Sequence, residues 1–499
     1  MNGIPFQLDQ ATNLSLRHAR LWLVLTAGVG MALRLFRLGT KSFRLDEAAT
    51  AILSAMNWHN FGTAIIHRQA NMVFYYLLLR GWTNLGSSEF VLRFPSVIAG
   101  VAAVPAIYFL GSHLLGPRAG RIAALLLSVH AFHIRYSQEA RAYTLSMLLA
   151  VVSSLFFLRS VERSSRKSWT AYVLVSVLMV YAQAFSGWLL LAQWVSLLFW
   201  RREICWKQVL FMAGMICLLI SPLAFCLLVV SDRSQLFWLT SPTLHDFYKF
   251  CINMTGDGGL SLLVAYGAMV LVGVGTGIRR MRSEFTSADR WKYCFLLTWL
   301  LLPVASVLSI SLRWPAFEPR FLIFCLPAFV LLVADAVTQI HSKVLFAAAL
   351  MIMLGLSLRS TLFYCHERAD DTHTDDWRDA TSYILTQAEV GDAVLFSYSE
   401  EKLAFDEYQR RFRIAGSSIH EFPERTDLEL LTERPSRPSV ELLDKIAAGH
   451  NRVWVVSAFQ PNQASCQVDA GLASRFRARE ARSFGFVHAK LFADPIFRP

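Results

Sequence analysis

Met72–Gly86 reads MVFYYLLLRGWTNLG, and whether this stretch crosses a membrane decides the topology of everything after it. It is apolar and aromatic, but shorter than the ~20 largely apolar residues that a spanning helix needs. A helix lying in the membrane interface suits such a segment better than a crossing. Longer apolar runs surround it, at 21–38, 92–113, 118–136, 142–159, 169–184, 187–200, 207–230, 260–278, 293–312, 321–338 and 343–362. These predict a polytopic α-helical membrane protein with about eleven transmembrane helices.

The basic loops test that choice. With the N-terminus, carrying Arg17 and Arg20, in the cytoplasm, the inner loops hold Arg118 and Arg121; Arg159, Arg163, Arg166 and Lys167; Arg201, Arg202 and Lys207; Arg279, Arg280, Arg282, Arg290 and Lys292; and Lys343. Counting 72–86 as a crossing inverts every later loop and places these clusters outside, against the positive-inside bias. The interfacial reading puts the first loop 39–91, the turn near 135–142, the segment 313–320 and the tail 363–499 on the non-cytoplasmic side of a cytoplasmic (inner) membrane.

Composition supports the same division. Of 499 residues 55% are hydrophobic and 17% charged, against about 25% charged in soluble chains, and the mean hydropathy is +0.41. Most Asp and Glu fall after residue 365, so the expected domains are a membrane region, 1–362, and a soluble region, 363–499. The net charge of +12 does not signal nucleic-acid binding, because the Lys and Arg lie in short loops between apolar runs rather than on one patch. The first apolar run is long for a signal sequence, and no small-residue cleavage site follows it. The eight cysteines lack metal spacing; Cys205, Cys217, Cys226, Cys294 and Cys325 read as packing residues in or beside spans. Cys365 and Cys466 flank the tail, and their pairing is left open by the sequence.

The tail predicts a small α/β domain: a helix over Trp377–Gln387, strands over Ala393–Tyr398 and Arg452–Phe459, and turns at Gly391-Asp392 and Pro461-Asn462. Neither an internal repeat nor a low-complexity linker is visible. A packing domain without catalytic residues is the plainer reading of this tail, against one that holds an acceptor.

Chemistry-bearing residues cluster in the outer stretches. Asp46 and Glu47 are adjacent carboxylates just beyond the first span; burial in the bilayer would be costly for them, so an exposed acidic turn is the bland alternative. The second stretch, Ile134-Arg135-Tyr136-Ser137-Gln138-Glu139-Ala140-Arg141-Ala142-Tyr143, interrupts nearly continuous apolar sequence with two arginines and a carboxylate, which a plain ion pair also explains. The third, RWPAFEPR at 313–320, adds Arg313 and Arg320. Guanidinium groups clamp phosphate oxygens, and a carboxylate can deprotonate an acceptor hydroxyl. Outer acids, outer arginines and a lipid-facing wall together suit a polyprenyl-phosphate sugar, whose departing phosphate needs charge stabilisation rather than a proton.

At these residues the chain resembles the GT-C integral-membrane glycosyltransferases, among them bacterial relatives of protein O-mannosyltransferases and of the lipid A aminoarabinose transferase. The resemblance rests on Leu45-Asp46-Glu47-Ala48, Tyr75-Tyr76-Leu77-Leu78-Leu79, Leu92-Arg93-Phe94-Pro95-Ser96, Tyr136 to Tyr143, Glu318-Pro319-Arg320-Phe321, and Asp376-Trp377-Arg378 with Gly391-Asp392. It implies a GT-C-like fold and an inverting, polyprenyl-phosphate-sugar-dependent transferase, mannosyltransferase-like, acting on a lipid, glycan or protein acceptor of the cell envelope. It further implies Asp46 as catalytic base and Glu139 as the second acid, with Glu47, Asn71, Tyr75, Arg93, Arg141 and Arg320 on the substrate. Many relatives carry His-Pro-Pro-Leu-Tyr-Tyr where this chain reads Asn71-Met72-Val73-Phe74-Tyr75-Tyr76. The phosphate-binding lysine of some relatives is also missing, which shifts weight to the arginines, with His67 and Arg68 as nearby stand-ins. No closed metal site is recognisable; metal dependence varies in such enzymes, so a divalent cation stays open.

Two other classes compete. A transporter or flippase of lipid-linked saccharides would place ionisable groups near span centres, often in repeated halves, and only Asp335, near a span end, approaches this. A non-catalytic scaffold would leave the outer acids and arginines without a purpose.

Overall fold

A computed structural model describes residues 4–163, 165–200, 205–230, 239–283, 286–367, 375–412, 419–458 and 463–496. Along the chain, α1 (Ile4–Leu35), α2 (Leu45–Ala55) and α3 (Trp58–Ala64) lead through a π-helical turn, Ile65–Gln69, and a 3-10 turn, Ala70–Met72, into α4 (Val73–Trp82). There follow α5 (Glu89–Leu115), α6 (Pro117–Ser128), α7 (Ala131–Ser137), α8 (Tyr143–Arg163), α9 (Arg166–Ala182), α10 (Gly187–Ser196), α11 (Trp206–Phe225) and α12 (Leu244–Met254). Then come α13 (Gly259–Ser283), α14 (Ser287–Ser311), a 3-10 segment Pro319–Cys325, α15 (Leu326–Thr338) and α16 (Lys343–Glu367). The tail holds α17 (Trp377–Gln387), β1 (Ala393–Phe396), α18 (Glu401–Phe412), β2 (His420–Phe422), α19 (Asp427–Thr432), α20 (Val440–Gly449), β3 (Arg452–Ala458), α21 (Gln463–Ala473), β4 (Phe476–Phe484) and β5 (Val487–Pro495).

Among the described residues seven helical segments are long and apolar enough to cross a membrane: Glu89–Leu115, Tyr143–Arg163, Trp206–Val230, Gly259–Arg280, Asp289–Ser311, Pro319–Thr338 and Lys343–His366. The other four expected spans fall on α1, on the α6–α7 pair, on α9 (17 residues) and on α10 (10 residues). The helix α4 has 10 residues, half of what a crossing takes.

The chain divides into two compact units, Met1–Phe36 with Phe94–Pro222 and Trp238–Tyr364, and Arg37–Arg93 with Leu223–Phe237 and Cys365–Pro499. In the first, the expected span 118–136 is broken between α6 and α7. A broken helix exposes backbone carbonyls that lipid cannot satisfy. Arg34 of α1 takes two of them: its Nη1 donates to the carbonyl of Ser128 (3.0 Å) and its Nη2 to that of Leu127 (3.3 Å), while Nη1 also donates to the Gly30 carbonyl of α1 itself (2.7 Å). Nη2 also donates to His133 Nδ1 (2.6 Å) and Nε to Ser137 Oγ (3.2 Å), so five neutral acceptors dissipate one fully buried charge. Gln138 closes the same corner, donating to the carbonyls of Arg34 and Phe36 (both 2.9 Å) and accepting from Tyr364 (3.0 Å).

In the second unit the tail forms a five-stranded sheet of order β2-β1-β3-β5-β4. β1 pairs in parallel with β2 and β3, and β5 runs antiparallel to β3 and β4. The inner strand β1 (AVLF), flanked by β2 and β3, is buried throughout, as strands covered on both faces must be. Leu395, Val453, Val455 and Phe492 form its core with Leu443 and Ile446 of α20 and Leu472 of α21. The helix 377–387 and the strand cores of 393–398 and 452–459 stand where the sequence placed them, and Gly391 adopts a positive φ of 91° in the turn before β1. The turn at Pro461-Asn462 and the side chain of Cys466 lie outside the described residues. The edge strand β4 is missed by hydrophobic alternation because it is mostly exposed and carries Arg477, Arg479, Glu480 and Arg482, the composition that protects a sheet edge.

Candidate functional site

Each unit carries its own share of the expected site residues. In the second unit, Asp46 and Glu47 open α2, where negative charge is favoured by the helix dipole. Successive helical residues point about 100° apart, so the two adjacent acids need not be buried alike. Glu47 turns inward and is 1% exposed. Its carboxylate takes Arg93 Nε at 2.8 Å and Nη2 at 2.7 Å, and the Arg44 N–H at 3.1 Å. Arg93, itself 2% exposed, also donates Nη1 to the carbonyls of Leu38 (2.9 Å) and Lys41 (3.0 Å) and Nη2 to Ser42 (2.9 Å). All five N–H groups of its guanidinium therefore have protein acceptors, and the pair frames the loop. Asp46, one position earlier on the helix, is half-buried.

Two acids of the tail bear electrostatically on Asp46. Burial pushes the Asp375 carboxyl up, Arg44 pulls it down, and the charges of Asp46 and Glu47 raise it further. Burial also raises Glu400, partly offset by Arg68, with Asp46 adding to the rise. Arg68, in the π-helical turn, is buried and donates Nη2 to Glu400 Oε1 at 3.1 Å and Nη1 to the Glu433 carbonyl. Its Nε has no protein acceptor among the described residues, and neither has the buried Oδ1 of Asn71 a donor. Single π turns recur at functional sites. Tyr75 is 1% exposed in α4, which packs on α2.

In the first unit, Glu139 is buried just beyond α7, and Arg141 stands half-buried before α8. The Arg141 N–H donates to the Glu139 carbonyl (2.8 Å), and the Arg141 carbonyl accepts from Ser96 Oγ (3.0 Å) on α5. Arg135 pairs with Asp257 at 2.9 Å. Arg320 opens the 3-10 segment beside Glu318, 3.6 Å from its Oε1. Glu139 and Arg320 both act electrostatically on the Tyr136 phenol, which brings the second and third expected stretches into one polar neighbourhood. Arg313 is exposed, its guanidinium 5.6 Å from the centre of the Trp314 ring.

Sequence reasoning missed Asp375 and Glu400. Asp375 adjoins the quoted Asp376-Trp377-Arg378, but nothing in a tail of ordinary acidity marks either residue as a neighbour of Asp46. Among the described residues no three His, Cys, Asp or Glu side chains form a metal-ligand group.

Residues 68–225 match the model of the dolichyl-phosphate-mannose-protein mannosyltransferase family. No curated protein matches the sequence. Among solved structures the chain is similar to ArnT from Cupriavidus metallidurans in the apo state, with a TM-score of 0.63 at 12% identity over 95% of this chain and 98% of that one. It is similar to the same protein bound to undecaprenyl phosphate, with a TM-score of 0.61 at 11% identity over 94% and 98%. It also resembles the archaeal oligosaccharyltransferase AglB from Archaeoglobus fulgidus in complex with an inhibitory peptide and a dolichol-phosphate, with a TM-score of 0.55 at 11% identity over 95% and 74%. At such identities the likeness is one of architecture: the chain has the GT-C fold, a helical membrane body with a small C-terminal α/β domain.

Proposed function

We propose that this protein is a glycosyltransferase that moves a sugar from a polyprenyl-phosphate donor to an envelope acceptor at the non-cytoplasmic face of the cytoplasmic membrane. The observation that carries the reading is the ArnT-like fold over nearly the whole chain, together with the undecaprenyl phosphate held by that relative. Asp46 is the acceptor's base. As it takes the hydroxyl proton, the acceptor oxygen bonds to the anomeric carbon and the bond from that carbon to the phosphate oxygen breaks on the opposite face, inverting the configuration. Arg141 and Arg320 stabilise the charge on the departing polyprenyl phosphate, and Glu139 is the second acid. Asn71 and Tyr75 line the donor side. Glu47 and Arg93 act through the loop that they frame.

Asp335, the acid that a transporter reading would use, is buried in α15 with Arg280 at 3.5 Å and Gln339 Nε2 at 2.6 Å from its carboxylate, and an ion pair with a packing role explains it as well. The test is transfer by purified protein from a panel of undecaprenyl-phosphate sugars to an envelope fraction, comparing wild type with Asp46→Asn. Loss of a positioned base costs about 10²–10⁴-fold in rate. An Asp46→Asn enzyme that transfers at a near-normal rate refutes the assignment.

A further inference from the structure

The turn that carries Asp46 is held from three sides by the C-terminal region, residue by residue. Ser42 Oγ donates to the Asp375 carbonyl at 2.7 Å and accepts the Trp377 N–H at 3.1 Å. The next residue, Phe43, is fully buried, donates its N–H to Tyr408 Oη at 2.6 Å, and lies under the Arg411 guanidinium, 4.6 Å from the ring centre. Arg378 Nη1 donates to the Thr40 carbonyl at 3.0 Å.

These contacts meet at Glu89, the first residue of α5, which is 8% exposed. Its Oε1 accepts from Arg378 Nη2 at 2.6 Å and from the Tyr408 hydroxyl at 2.8 Å, and its Oε2 lies 3.3 Å from Arg411 Nη1. Tyr408 is 1% exposed; burial and then the Glu89 charge hold its phenol well above the usual range, so it stays a hydrogen-bond donor. One hydroxyl thus joins the backbone of residue 43 to a buried carboxylate. Residue 44 is the N-cap of α2, and Asp46 sits in its first turn.

We propose that the C-terminal domain is a clamp on the base-bearing turn, in which Tyr408, relayed through Glu89, is a positioning residue for Asp46. This rests on the reading of Asp46 as base for its kinetic consequence, and on geometry alone for the clamp. A displacement of about 1 Å at a reacting group costs on the order of 10²-fold in rate. A hydrogen bond that fixes the residue before the N-cap is therefore expressed in turnover rather than in donor binding. The domain has a part in the reaction without contributing an atom to it.

Tyr408→Phe keeps the ring and deletes the hydroxyl; Glu89→Gln keeps the shape and deletes the charge. In both, hydrogen exchange at the amides of Phe43–Ala48 should quicken about tenfold or more while β1 and β3 keep wild-type protection. In both, kcat should fall about 10- to 100-fold with the donor KM within about twofold. Unchanged exchange over Phe43–Ala48 overturns the clamp, whatever the chemistry of the protein proves to be. Quickened exchange with kcat intact, in an enzyme that Asp46→Asn silences, overturns the positioning role alone. Quickened exchange in a protein whose Asp46→Asn variant remains active leaves the clamp standing and sinks the reading of Asp46.

Discussion

Replacing Arg93 by methionine tests most directly whether the loop before α2 is held as the structure shows. The substitution keeps a long apolar stem and removes five N–H donors. It leaves the Glu47 carboxylate, 1% exposed, without its bidentate partner at 2.7 and 2.8 Å. Breaking a buried pair by removing one partner costs about 3–5 kcal/mol. It also takes one donor each from the carbonyls of Leu38, Lys41 and Ser42, at about 1–3 kcal/mol for any that neither water nor another donor then reaches. The total is of order 5 kcal/mol or more, comparable with the whole margin of roughly 5–15 kcal/mol that a folded protein has. The assay is a thermal melt in detergent of wild type, Arg93→Met, Glu47→Met and the double variant, read by retention of the monodisperse peak. Arg93→Met should melt far below wild type. The double variant should recover part of the loss, because it no longer buries an unpaired carboxylate, and the two single effects should be strongly non-additive. Arg93→Lys should behave much like Arg93→Met, since one ammonium cannot span both carboxylate oxygens and three carbonyls. If Arg93→Met melts within a degree or two of wild type, or the double variant loses the sum of the singles, the buried frame is not the support described.

Two further outcomes follow from other parts of the molecule. Burial pushes the Glu401 carboxyl up to about 8, despite hydrogen bonds from backbone N–H groups including Ala458 and Tyr398. The folded state then holds a proton that the unfolded chain releases near pH 4.5, so this contribution to stability is full below that pH and is lost as pH rises through about 8; Glu401→Gln should flatten the decline of the melting temperature across this window. At Gly120 an added Cβ would lie 2.6 Å from the Tyr108 carbonyl oxygen and 2.8 Å from the Ser112 nitrogen, backbone atoms that cannot swing aside. Gly120→Ala should cost about 1–3 kcal/mol, whereas Gly214→Ala, with nothing within 4 Å, should not lower the melting temperature.

Local sequence carried a good deal of this architecture, for reasons that are themselves local. A bilayer requires long unbroken apolar helices, so the span-forming segments announce themselves by composition. The short, aromatic Met72–Gly86 stands out by the same rule, and α4 has 10 residues there, fewer than a crossing takes. The strand AVLF and the helix 377–387 were legible because their side-chain periods and flanking turns are complete within a dozen residues. The highly charged β4 was not, because an exposed edge strand has no buried face to give it alternation.

What the sequence could not decide is which of its charged groups face one another. Asp46 and Glu47 are neighbours with the same chemistry, and only the turn of α2 separates a carboxylate buried against Arg93 from one left half-exposed. Glu89 reads as an ordinary helix-starting acid until residues some 300 positions away, Arg378, Tyr408 and Arg411, converge on it. Hydrophobic period and length are properties of a segment, and one sequence displays them. Pairing between distant charges depends on the path of the whole chain, so it enters only with the tertiary structure.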